Sequence, residues 1–329
     1  MSTSTFPTEK ARVADFRHQV TQSFEADARY LATETDKIDQ LVSIQSFALK
    51  FIKDAARQSP EYQEGLKLLW HMFCITAQTL HQEDSFQDSL VSLLLWTKEY
   101  DSLYRQLHPN EVADGSWKGY GFAGELQSSW EQLSTQKDVS KMCNLAMFSA
   151  KCFAIGVSDD IERTATWVMR NALETEEDTD ALVYLPSAVI LVQNCAFKLF
   201  SLPLMRLQVT RSPEEDGPET TGVMAQKADI HEVRFSQSRW LYWRRRFQEI
   251  SRHYDPTVAA QAKEGFMAMI SCGRLLDLSV LGEVRFEKHL QQAMWEELKR
   301  SGKESVDGDE IDINLDWVDV DAEGEPQQD

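Results

Sequence analysis

Few sets of residues in this sequence have the types and spacing that chemistry requires. Gly119, Gly121 and Gly124, in the run GYGFAG, spell GxGxxG. That pattern brings backbone amides to a pyrophosphate where a strand turns into a helix. Here the upstream text is HPNEVADGSWK, which is no apolar strand, and no acidic residue ends a second strand at the usual distance. The run reads better as a loop pinned to the body by Trp117, Tyr120 and Phe122. The seven histidines (His18, His71, His81, His108, His231, His253, His289) form no HxH, no HExxH and no i, i+4 pair, so no metal set is implied. Asp159-Asp160 resembles a carboxylate pair but stands where a helix must begin, which makes capping the better account. There is no GxSxG elbow. No catalytic residue, cofactor or metal ligand is assigned.

Cys74, Cys143, Cys152, Cys195 and Cys272 are an odd number, far apart, each inside an apolar stretch. Disulfide frameworks and zinc sites need closer pairing, so reduced, buried thiols are expected. Two Ser-Pro steps, Ser59-Pro60 and Ser212-Pro213, are weak phosphorylation candidates.

RWLYWRRRF is richer. Trp240, Trp243, Phe247 and Ile250 recur at helical spacing and make one broad apolar stripe, with Arg244, Arg245 and Arg246 on adjoining faces. One reading is a basic-aromatic surface for an anionic partner. The other is a buried tryptophan ridge whose arginines pair with acids or stack on rings, and it is the reading preferred. A third is that the protein's own acidic tail docks there.

That tail is the most distinctive text in the chain. From Lys303 to Asp329 it holds eleven acidic residues and one lysine, ten of the nineteen net negative charges of the 329-residue protein. A run so charged is expected to be disordered alone. If extended, it puts Ile311, Ile313, Leu315 and Trp317 on one edge. DWVDV resembles aromatic-x-x-aliphatic docking peptides, with Trp317 and Val320 as anchors that enter two pockets while the backbone adds a strand to the partner. IDINL resembles ligands of ubiquitin-like modifiers, LDW flanked by acid resembles kinesin-cargo motifs, and the whole resembles activation segments. The bland reading is a solvating tail.

The elements that must position these residues are helical. Three-to-four spacing predicts helices over residues 8–32, from Asp36 to Ile52, from Pro60 through Leu80, and from Asp84 to Leu107. Others are expected over Glu125–Leu133, Asp138–Val157 and Ile161–Leu173. Leu182–Phe200 is almost wholly apolar, with Pro186 in its first turn, and is the candidate centre of the fold. The EtEEDtD run at Glu174–Asp180 reads as a solvated loop. RSPEEDGPETTG at Arg211–Gly222 reads as a mobile linker. Three more helices follow, about Ser236–Tyr254, Pro256–Leu278 and Glu283–Arg300. No alternating strand of useful length appears in the body.

Three segments together are familiar. They are KMCNLAMFSAKCFAIGV followed by ATWVMRNALE within Lys141–Glu174, the apolar run Ala181–Phe200, and SRWLYWRRRFQEI at Ser238–Ile250. In this order they resemble an uncharacterised fungal family catalogued as a domain of unknown function (three-six-three-two), over about Trp70 to Asp277. The most specific motif is RWxxWxxRF: Arg239, Trp240, Trp243, Arg246 and Phe247. The resemblance implies a fungal, intracellular, helical protein and no activity. Such proteins sometimes accompany lineage-specific biosynthetic gene clusters.

The expected fold is all-α: an irregular multi-helix bundle or helical superhelix over residues 1–300, with a disordered acidic tail over 301–329. The body is one domain or two packed halves, 1–210 and 223–300, joined by 211–222. The best apolar run, Ser89–Trp96, falls well short of the ~20 residues that span a bilayer, and the first residues lack an apolar signal core, so no membrane partner is expected. The acidic charge argues against nucleic acid. The expected role is a cytoplasmic or nuclear, non-enzymatic scaffold that binds a protein partner through Ile311, Ile313, Leu315, Trp317 and Val320. The alternative is an enzyme or small-ligand carrier whose pocket lies between the helices of 138–200 and the Trp240 helix. In that case Arg170, Asn194, Arg239, Trp240, Trp243 and Arg246 are its candidate residues.

Overall fold

The computed structural model describes residues 19, 22, 26, 31–56, 61–108, 121–158, 160–176, 179–206, 220–231, 235–275, 282–303, 305, 311 and 313–319. Among these there is no strand, and the chain is all-α. The helices with described bounds are eleven: α1 Glu34–Ala56, α2 Glu61–Thr79, α3 Phe86–Leu107, α4 Phe122–Gln136, α5 Val139–Ala154, α6 Ile161–Leu173, α7 Thr179–Arg206, α8 Val223–Lys227, α9 Gln237–Ile250, α10 Pro256–Leu275 and α11 Glu283–Ser301. A 3-10 turn, Leu315–Val318, closes the series. Of the helix expected over residues 8–32, Gln19, Gln22 and Ala26 are helical and Leu31 and Ala32 stand in a turn; the rest of that stretch, and the loop residues Trp117 and Tyr120, lie outside the described residues.

Local chemistry explains where the helices begin. Asp138 accepts from Lys141 N at 3.1 Å and Ser236 from Arg239 N at 3.1 Å, each satisfying an amide that the first turn leaves open. α1, expected from Asp36, begins at Glu34 and is capped by Thr33. The Thr33 hydroxyl accepts from Asp36 N, and the Asp36 carboxylate accepts from Thr33 N, a reciprocal box. Asp160 stands before α6 as expected, but its side chain makes no cap.

α7 is the centre, touching α5, α6, α9 and α10. Leu185, Ala188, Leu191, Val192 and Leu199 are buried along it. By length and composition alone, Ala181–Ser201 could cross a membrane, at mean hydropathy 1.5, so it and not Ser89–Trp96 is the best apolar run. More than half of it is packed inside the body. The helix starts at Thr179, so Pro186 stands two turns inside it rather than in the first. At Cys195 the backbone leaves helical geometry (φ −138°, ψ 17°), and α7 kinks there.

Around α7 most buried apolar residues from Ile44 to Val318 make one contiguous cluster, with Ile52, Ala181 and Ile311 outside it. Phe122, at the end of the glycine-rich run, opens α4 and meets Trp70 and Phe148 edge-on at 5.7 and 6.4 Å. The glycine pattern therefore leads into a core helix. Cys74, Cys152, Cys195 and Cys272 are buried and Cys143 half-buried, all five free.

Candidate functional site

Apart from Arg170 and Asn194, most of the residues singled out on sequence gather at two places along α9. Its first half enters the core. Arg239 is fully buried and forks onto Glu174, Nε to Oε1 at 2.5 Å and Nη2 to Oε2 at 3.0 Å. Trp243 Nε1 donates to the same Oε1 at 2.7 Å, and Gly222 N to Oε2 at 2.6 Å. The Arg239 guanidinium also lies over the Trp243 ring, 5.4 Å from its centroid. Four donors thus converge on this one carboxylate, the arrangement that burying a paired, hydrogen-bonded side chain requires. Trp240 packs beside this knot against Phe200 and Phe235, its Nε1 having no acceptor. Arg246 Nε donates to Leu173 O at 3.1 Å, satisfying a carbonyl at the end of α6.

Arg239, Trp240, Trp243 and Arg246 thus come together, as a buried structural knot with no basic face to solvent. Arg245 is the exposed arginine of the triplet, paired to Glu249. Arg170 is half-buried on α6, one turn before Glu174. Asn194 lies on the surface of α7, and its side chain bonds Ile190 O in its own helix. Sequence reasoning missed Glu174. Its place at the head of EtEEDtD implies a solvated loop, but it is fully buried as the residue after α6. The available signal was the ALE ending, which here meets RWxxW. Thr221 and Gly222, assigned to the mobile linker, are buried at the same knot; residues 207–219 lie outside the described ones.

The second half of α9 faces the acidic segment. The tail is not uniform: residues 311 and 313–319 lie against the body, whereas 320–329, Val320 included, lie outside the described residues. Ile311, Leu315 and Val318 are buried and Ile313 is half-buried. Trp317, also half-buried, lies 5.8 Å from the Phe286 ring and stacks on His289 at 5.7 Å. Phe286 in turn meets Phe266 of α10 at 5.7 Å. The expected extended edge is replaced by a 3-10 turn, because Asn314 Oδ1 accepts from Asp316 N at 3.0 Å and starts one. A three-residue period puts Leu315 and Val318 on the inner face, so Val318 takes the inner position beside Trp317.

Polar groups of α9 complete the seat. Gln248 Nε2 donates to Asp316 Oδ1 and Asp319 Oδ2, both at 2.9 Å, and Arg252 just beyond α9 pairs with Asp316. Gly282 has a left-handed backbone (φ 83°), and a Cβ there would strike Val318 O. Beneath, Arg244 pairs with Glu283 at 3.0 Å. Burial pushes the Glu283 carboxyl up to about 7 against the pull of Arg244, and burial also lowers Arg244 despite Glu283.

A polar cleft of about 570 Å³ opens elsewhere, between α2, α4 and the start of α5. Its lining includes His71, Gln78, Gln136, Lys141 and Asn144. His71 Nδ1 lies 2.8 Å from Glu125 Oε1. Among the described residues no three His, Cys, Asp or Glu side chains gather as a metal site would need.

Comparison with known proteins gives one family model, described as protein of unknown function (DUF3632), which matches residues 70–247. The match runs from the core residue Trp70 to Phe247, the last residue of the RWxxWxxRF motif. No curated protein matches the chain, and no solved structure matches it.

Proposed function

The chain belongs to the DUF3632 family, whose description names no activity, and from that premise we propose that it is a non-enzymatic interaction protein. On this reading a helical scaffold, in the cytoplasm or nucleus, presents an acidic, apolar-anchored segment to a protein partner. The observation that carries it is the segment itself. Within an acid-rich run, Leu315 and Val318 are buried against the helical body and Trp317 packs on Phe286 of α11. Acidic side chains around apolar anchors are the features by which short peptides find basic-rimmed grooves. The buried ionisable residues of the Arg239 knot are engaged with one another, which fits a structural role better than a reactive one. Capture of partners from an extract of the native cell, by the full chain and by Trp317→Ala, tests the proposal. Partners held by the first and lost from the second are expected. Identical lists from both, and from the chain ending at Gly302, would remove it.

A second reading, a carrier of a small polar ligand, is favoured by the cleft beside His71 and Glu125 rather than by the Trp240 helix. Its test is perturbation of the His71 imidazole NMR signals by a panel of uncharged, hydroxyl-rich small molecules. An unchanged spectrum across the panel would end it.

A further inference from the structure

We infer that the surface of α9 and α11 under the 3-10 turn is a binding site for acidic, apolar-anchored peptides, and that residues 313–319 are its ligand in cis. Seating the segment and offering it to a partner are then mutually exclusive. The inference concerns the regulation of the proposed docking segment and rests on that reading for its partner half only.

Complementarity carries the argument. The surface supplies donors where the segment supplies acids: Arg252 to Asp316, and Gln248 Nε2 to both Asp316 and Asp319. Asp319 also acts on Arg244 through its charge, favouring the guanidinium's protonated form. The surface supplies a ring floor, Phe286 with His289, where the segment supplies Trp317. Backbone meets backbone at Gly282, where any side chain would collide with Val318 O. A cationic rim, an aromatic floor and a close backbone approach together form a peptide site. The residues that fill it, Leu315, Trp317 and Val318 with their flanking aspartates, are those an outside partner would have to grip. A side chain cannot occupy both places, so the affinity a partner shows is lowered by the fraction of chains in which the segment is seated. Local opening of such a peripheral element costs less than unfolding the body, which makes exchange between the two states accessible.

The experiment uses full-length chains and a fluorescein-labelled peptide of residues 309–321. In the double variant Leu315→Asp/Val318→Asp the chain's own segment no longer fits its seat. The peptide is expected to bind that variant at least tenfold more tightly than the wild-type chain. Adding Arg252→Glu, a surface change, is expected to weaken it about tenfold. In the wild-type chain, hydrogen exchange at residues 313–319 is expected to be at least tenfold slower than in the free peptide. Equal peptide binding to wild type and double variant, or exchange at the free-peptide rate, overturns the site. Arg252→Glu alone is expected to raise capture of any Trp317-dependent partner. Unchanged capture while exchange at 313–319 accelerates overturns the exclusion and leaves docking intact. If the peptide results hold and no partner depends on Trp317, the docking proposal fails and the cis site stands.

Discussion

Arg239 and Trp243, one turn apart on α9, close on the same oxygen of Glu174, at 2.5 and 2.7 Å. The remaining oxygen takes Arg239 Nη2 and the Gly222 amide. Three stretches of chain distant in sequence are fastened at one carboxylate: the end of α6, the residues entering α8, and the start of α9.

Removing that carboxylate takes from a buried guanidinium both of the hydrogen bonds it makes to Glu174. Glu174→Ala is expected to destabilise by about 3–5 kcal/mol, the range for breaking a buried pair from one side. Denaturant unfolding measures it. Glu174→Gln/Arg239→Met should lose less than the sum of its single changes, because the second removes the guanidinium whose bonds the first weakens. Additive losses would mean the two do not act as a pair.

Gly222→Ala tests the close approach. Its backbone (φ −75°, ψ 165°) suits any residue, so conformational strain plays no part. The added Cβ would lie 2.6 Å from both the Cβ and the carbonyl oxygen of Glu174. The expected cost is about 1–3 kcal/mol, as for overpacking. An unaffected thermal midpoint would show that the loop gives way.

Glu283 makes stability depend on pH with an unusual sign. Its folded pKa, about 7, stands above its ordinary value of 4.5. The folded state therefore holds the proton more tightly than the unfolded one. This group's contribution is fully present below about pH 4.5 and is lost as pH rises toward 7. Glu283→Gln imitates the neutral acid. The variant should match the wild type near pH 4.5 and exceed it by roughly 1 kcal/mol or more above pH 7. Unfolding curves at the two pH values check this. A difference of the opposite sign would mean that pairing with Arg244 outweighs burial.

The thiols offer a labelling test. Burial pushes Cys74, Cys152 and Cys195 well above the usual thiol range and Cys272 up to about 12. Thiolate is the reacting form. Iodoacetamide at pH 8 should leave these four unmodified in the native protein, with Cys143 the first to react, and should label all five after denaturation. Mass spectrometry counts the adducts.

Helical period made most of the fold legible, because apolar stripes at three-to-four spacing are a local property of the text. Ile161–Leu173 and the start of the last helix at Glu283 were expected where they stand. Glu174 was not legible in this way. An acid at the head of EtEEDtD looks solvated until the arginine sixty-five residues later is placed beside it. The tail shows the same limit. Alternating apolar residues suggest an extended edge, but one asparagine side chain turns the backbone and changes which residues point inward. For the candidate site, helical spacing groups Arg239, Trp240, Trp243 and Arg246, and the tail pattern singles out Trp317. Neither carries the contacts among them, nor the separation of Asn194 from them, because these depend on how distant helices cross.

The two ends of α9 would respond differently to mechanical load. A tether pulling on the C-terminus would strip the 3-10 turn first, its attachments at Arg252, Gln248 and Phe286 parting one after another. Arg239 stands nine residues before Gln248, about 14 Å up the same rod, where its bonds to Glu174 would strain together rather than in turn. Tension at that end would release the segment while the helical body kept its shape.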